Sequence, residues 1–318
     1  MAGTTLQISL APSDYRHAEH ILPHQLRQWR DQMSEVLISI DFHRSAGRFS
    51  ERWQEGRGRI EALANAQPGV RVVTVDYSEP AQQAVSAMCF GGRRVPAKDF
   101  RGGPYYAYFF GLWAARHDIV LHTDSDILFG GGSKAWMNEC VETLATDRSV
   151  LVCAPLPGPP STDGRLKQLV ATHSNGRRWA PRFDTMSTRL FAIDRRRFSG
   201  DFGMLVPRRP SARNWIKAWV EGNPPQDLPE HLFTQRMRSL GLERLDFLGE
   251  APGMWSLHAP YRCEDFYRRL PEIVALVERG EVPEAQRGDH DINDSLVDWS
   301  EARERLASNR WWKRLLVR

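Results

Sequence analysis

Along the first 126 residues, apolar positions switch between a helical and an extended period. Thr4–Leu10 is a short β-prone run, closed by the turn Ala11-Pro12-Ser13-Asp14, where Ser13 or Asp14 offers a helix N-cap. His17–Gln32 carries Ile21, Leu22, Leu26 and Trp29 at helical spacing. Glu35–Phe42 is nearly continuous in apolar residues, as a parallel strand covered on both faces should be. A polar helix is expected around Arg57–Asn65. Pro68-Gly69 then turns the chain into a third strand at Val70–Val75, and an irregular stretch follows. Tyr105–Arg116 reads as an aromatic-rich helix leading into a strand over residues 118–123.

Further on, the pattern predicts a helix at Lys134–Leu144 and a strand at Ser149–Cys153. Pro155–Pro160 and Ser161–Gly164 read as a surface loop. A strand is expected at Thr188–Ile193, and a helix at Glu230–Leu240 that Gly241 stops. Strand-like runs follow at Arg244–Leu248 and Met254–His258, and the chain beyond is more polar and mostly helical. Alternating strands and helices of these lengths argue for an α/β fold with a mostly parallel, Rossmann-like sheet flanked by helices. One domain over residues 1–260 with a C-terminal helical extension over 261–318 is the economical description.

Composition narrows the class without naming a chemistry. With 318 residues, 41% hydrophobic and 26% charged, the chain has the make-up of a soluble globular protein with a sizeable core. A net charge of +4 suits an anionic substrate or an acidic partner. There is no block of five or more like charges and no zinc-finger or RNA-reading motif, so nucleic acid is not an expected partner. Cys89, Cys140, Cys153 and Cys263 lie far apart with no CxxC spacing, which favours reduced thiols in the cytoplasm. The N-terminus reads as a first strand and no transmembrane segment is expected. Asn309–Leu316 is basic and aromatic. It is expected to pack on the domain or on a second subunit, as in a homodimer, with peripheral contact to an anionic membrane as the alternative.

The chemistry concentrates at Asp124-Ser125-Asp126, where an apolar strand runs into two carboxylates one residue apart, ahead of Gly130, Gly131 and Gly132. Open α/β sheets bind ligands at such strand ends. Hard oxygen ligands there suit Mg²⁺ or Mn²⁺, which share their coordination with a substrate's phosphates.

Residues 102–126 (paired glycines, helix, strand, Asp-x-Asp) resemble the central segment of GT-A glycosyltransferases, especially family 2. Gln226-Asp227-Leu228-Pro229-Glu230 at a helix start resembles that family's acidic motif, and Trp255-Ser256-Leu257-His258 resembles the segment carrying its metal-binding histidine. The resemblance implies a metal-dependent hexosyltransferase using a nucleotide-diphosphate sugar, UDP-linked by preference, with inversion favoured and the acceptor open among small molecules, glycans, lipids and carrier-bound groups. It implies Asp126 as metal ligand with His258, Asp124 on the ribose or on the metal through water, and Glu230 as the base that takes the acceptor's proton.

Nucleotide contacts are expected from Pro12 and Asp14 in the first turn, Asp41 at the end of the second strand, and Ser125. Lys98 and Arg101 are expected on the diphosphate. Family members often carry an arginine in the helix after the paired glycines. Here that helix holds the aromatic run Tyr105–Phe110, which is expected to be core. The alternatives are a phosphotransferase of the haloacid-dehalogenase type, whose nucleophile also sits in an Asp-x-Asp, and a non-catalytic nucleotide-sugar-binding protein.

Overall fold

The computed structural model describes residues 3–44, 52–167, 171–174 and 179–308. Strand β1 (Thr4–Leu10) leads through a tight turn at Pro12–Asp14 into helix α1 (Tyr15–Trp29). Then come β2 (Glu35–Ile40), α2 (Trp53–Asn65), β3 (Arg71–Thr74), α3 (Glu79–Phe90), α4 (Tyr106–Ala114) and β4 (Ile119–Asp124). The second half contains β5 (Ile127–Gly130), α5 (Trp136–Thr146), β6 (Val150–Pro157), β7 (His173–Ser174), β8 (Pro181–Phe183) and β9 (Leu190–Asp194). It closes with α6 (Ala212–Glu221), α7 (Pro229–Leu240), β10 (Glu243–Phe247), β11 (Trp255–His258), α8 (Glu264–Arg279) and α9 (Ser300–Ser308).

The eleven strands form one sheet in the order β3-β2-β1-β4-β9-β6-β10-β8-β7, with β11 on β6 and β5 on β11. The half from β3 to β4 is parallel, as the pattern predicts. The other half is mixed, because β9 runs antiparallel between β4 and β6. Among the described residues between β6 and β9, the chain makes the short strands β7 and β8 and no helix. A return without a crossover helix comes back antiparallel.

Side-chain alternation sorts the parallel half into two cores. Leu6, Ile8 and Leu10 of β1 face α1 and α2, with Trp29 and Trp136 among the buried residues of that layer. Leu37 and Val120 face the other way, onto Phe90, Phe109, Phe233 and Met237 from α3, α4 and α7. All six residues of β2 are buried, which accounts for its unbroken apolar run. A third core joins Leu128 and Leu257 of the β5–β11 ribbon to Phe266, Leu270 and Ile273 of α8, so the C-terminal helices pack onto the same body.

Helix α3 and the end of β6 differ from the sequence reading. Helix α3 occupies part of the stretch read as irregular. Its ends are marked by Ser78, Pro80 and Gly91 (φ 59°), but small and amide residues in its middle blur the periodicity. Strand β6 runs on through Pro155 to Pro157, where a loop is expected from the prolines. Its neighbour β9 reaches only as far as Cys153, so those prolines cost no ladder bond on that side. The basic stretch Asn309–Leu316 lies outside the described residues.

Candidate active site

The strand order reverses between β1 and β4, and there the C-terminal ends of β1, β2 and β4 open into a cavity of about 1160 Å³. Ligands bind at such switch points in open α/β sheets. Every residue singled out from the sequence lines this cavity except Pro12. Pro12 is buried and its carbonyl closes on Gly56 of α2, where even a Cβ would collide with it. The first turn therefore presents Ala11, Ser13 and Asp14 to the cavity, while Pro12 anchors it from behind.

The Asp124-Ser125-Asp126 turn is where the chain leaves β4 and enters β5. Helix α1 braces it: Gln25, fully buried, donates from Nε2 to the carbonyls of Asp124 (2.8 Å) and Ile127 (2.9 Å). His24 accepts the Phe129 N–H at Nε2 (2.9 Å), so its other nitrogen carries the proton and donates to Glu278 at 2.8 Å. The antiparallel register of β5 with β11 sets His258 opposite Ile127, and so brings a histidine distant in sequence beside Asp126. The glycines make that ribbon possible. A side chain on Gly130 would occupy the Trp255 indole, and Gly131 takes φ 89° against the Gly253 carbonyl.

Asp126 is the electrostatic centre. Its Oδ2 accepts from Arg262 Nη2 and lies 3.8 Å from His258 Nε2. Its Oδ1 is buried with no hydrogen-bond partner. Burial pushes this carboxyl up, but the Arg262 guanidinium beside it more than reverses that and holds it below the usual carboxylate range. Asp124 goes the other way: burial raises it against the opposing pull of His122, whose Nε2 lies 3.4 Å from Oδ1. Tyr108 donates to Asp124 Oδ2 at 3.3 Å. Two neighbouring carboxyls driven apart in this way are set up for different roles.

His258 Nδ1 is 2.7 Å from Asp291 Oδ1, which places a proton on Nδ1 and orients the ring so that Nε2 faces Asp126. The unpartnered Asp126 Oδ1 and the His258 Nε2 are two donors of kinds that Mg²⁺ or Mn²⁺ takes alongside water and phosphate. No group of three or more metal-ligating side chains occurs among the described residues.

The other expected contacts have partners of their own. Lys98 Nζ donates to Asp41 Oδ2 at 2.6 Å with both side chains buried, and Asp41 Oδ1 accepts from Tyr77 (3.1 Å) and the His43 N–H (2.8 Å). Lys98 is expected on the diphosphate, yet a buried ammonium needs its counter-charge, and Asp41 supplies it. Ser125 Oγ lies 3.0 Å from His17 Nε2. Arg101 Nη2 stands 3.6 Å from Glu230 Oε1, which places Glu230, in the first turn of α7, on the cavity wall.

Sequence reasoning missed Arg262, His17, His122, Asp291 and Tyr108. The aromatic run is core at Tyr105, Tyr106, Phe109 and Phe110, as expected, but Tyr108 turns into the site. Its position two residues after Tyr106, off the buried stripe of α4, is the signal that could have found it.

Burial raises the Asp14 carboxyl to about 6 from 3.8, against the opposing pull of the Ala11 N–H and Arg262. A carboxyl raised by folding binds more protons in the folded state, so it lowers stability as pH climbs from about 4 to about 6. Asp14→Asn keeps the acceptor and removes the charge. It is expected to add roughly 1–3 kcal/mol at pH 7 and nothing at pH 3.5, read from melts across that range.

No protein-family model matches the sequence, and no curated protein sequence is similar to it. Among solved structures, the chain is similar to glucosyl-3-phosphoglycerate synthase from Mycobacterium tuberculosis in complex with Mg²⁺ and UDP. That likeness has 15% identity and a TM-score of 0.36 and covers 89% of this chain and 81% of that one. It is also similar to S. aureus TarS 1–349 in complex with UDP-GlcNAc, at 12% identity and TM-score 0.43, over 89% of this chain and 68% of that one. Likeness at this level transfers no activity to the chain.

Proposed function

We propose that this chain is a metal-dependent glycosyltransferase of the GT-A type, taking a nucleotide-diphosphate sugar, UDP-linked by preference. The observation that carries the reading is Asp126: a carboxylate held ionised at a sheet switch point, with one oxygen unpartnered and the other 3.8 Å from His258 Nε2. Asp126 and His258 would hold Mg²⁺ or Mn²⁺. When bound, such a cation supplies Lewis-acid stabilisation of the departing diphosphate.

The remaining steps fall to the chain's own residues. The ends of β1 and β2 wall the nucleoside side of the cavity through Ala11, Ser13 and Asp41, whose orientation Lys98 fixes. Asp124, raised by burial and touched by Tyr108 and His122, is suited to hydrogen bonding with a ribose hydroxyl. Arg262 sits on Asp126 and can turn its remaining N–H groups to phosphate oxygens. Glu230, on the cavity wall, accepts the acceptor's proton, and a protein base acting on the acceptor favours inversion.

Glu230→Gln tests the base. Removing general-base catalysis should lower kcat by about 10²–10⁴-fold while leaving UDP binding within about twofold, measured by donor turnover beside calorimetry. Unchanged kcat would remove Glu230 from the role.

A further inference from the structure

Helix α6, which the sequence reading passes over, carries its side chains the wrong way round for a core helix. It begins at Ser211, whose side chain accepts the Asn214 N–H, and ends at Gly222 with φ 72°. Its buried residues are the modest Ala218 and Val220, with Ala218 in a small cluster with Phe100 and Leu228. The bulky apolar side chains face solvent instead: Trp215 is 45% exposed, Ile216 43% and Trp219 68%.

With Ala212, also exposed, these residues sit at i, i+3, i+4 and i+7 and make one continuous stripe. Scattered exposed apolar residues are ordinary, but a stripe of two tryptophans and an isoleucine on one short helix marks a binding surface. The opposite side of the helix is already in use, because Arg213, Lys217 and Glu221 line the catalytic cavity.

Charge selects the partner. Between Phe202 and Val220 the chain holds Arg208, Arg209, Arg213 and Lys217 and no acidic residue. Arg208, Arg209 and Arg213 are exposed, as is Val206 at the approach to the helix. Tryptophan prefers the zone where acyl chains meet headgroups, with an apolar ring buried and its N–H in water. Nearby cations strengthen such contact on an anionic bilayer. None of the described helices is long and apolar enough to cross a membrane, so contact would be peripheral.

We propose that the Trp215–Ile216–Trp219 face of α6, with Arg208 and Arg209, is a docking surface for an anionic lipid bilayer. It sets the helix that walls the cavity at the level of the headgroups. The inference goes beyond the glycosyltransferase reading and does not depend on it, since the test reads binding without donor.

The full chain is sedimented with vesicles of phosphatidylcholine alone and with about one-third phosphatidylglycerol added. Binding is expected only to the anionic vesicles, weakening as salt rises. It should fall at least about tenfold in Trp215→Ser/Trp219→Ser and weaken in Arg208→Gln/Arg209→Gln, while thermal melts stay like wild type. No binding to anionic vesicles overturns the proposal. So does wild-type binding by the tryptophan variant, which would move the contact to another surface. A dimer seen by light scattering that the tryptophan variant dissolves would assign the face to a second copy of the chain and also overturn it.

Discussion

Asp126→Asn is expected to lower donor turnover by at least about 10²–10³-fold while the fold persists. The substitution keeps the shape and removes the charge on which the site is organised. In the wild type, Arg262 holds this carboxylate ionised, and its Oδ1 has no protein partner. The asparagine keeps a carbonyl oxygen but offers a cation far less, and it leaves the Arg262 guanidinium without its counter-charge. Arg262 still donates to the carbonyls of Ala259 (2.8 Å) and Tyr261 (3.1 Å), so the stability loss should stay at about 1–3 kcal/mol. Initial-rate assays with Mn²⁺, beside urea titrations of both proteins, separate the two effects. Turnover within tenfold of wild type would remove Asp126 from the centre of the mechanism.

Lys98→Met should be the most destabilising single change in the cavity wall, at about 3–5 kcal/mol. Both members of the Lys98–Asp41 pair are buried, at 4% and 5% exposure, and they tie the loop after α3 to the end of β2. Losing the ammonium leaves Asp41 with Tyr77 and one backbone N–H but no opposing charge. Lys98→Met/Asp41→Leu should cost clearly less than the sum of the two single changes, because the second removes the charge that the first exposes. Denaturant titrations of the four proteins give the coupling. A single-variant cost under about 1 kcal/mol would mean that water already screens the pair.

What the sequence discloses, and what it hides, follows from the range over which each feature is determined. The Asp-Ser-Asp turn is legible because its strand, its acids and its glycines are contiguous. The parallel half of the sheet is legible because β2 and the first half of β4 are covered on both faces and so read as nearly continuous apolar runs. His258 is reached only through the motif resemblance. Its position depends on the β5–β11 register, which no local pattern encodes. Arg262 and Asp291 are harder still. One comes from the loop after β11 and the other lies 33 residues beyond His258, and they meet the site only because the third core folds α8 and the following loop back onto the ribbon. Lys98 shows the reverse limit: its proximity to the site is legible, but its partner depends on burial. Helix α6 escapes because its apolar face does not join the core.

The most direct test is calorimetric titration of UDP into the full chain with Mn²⁺ and again after EDTA. Binding that requires the metal, disappears on chelation and is lost in Asp126→Asn is the expected result. UDP binding that is indifferent to EDTA, or no UDP binding at all with Mn²⁺ present, would contradict a metal–diphosphate site at Asp126 and His258.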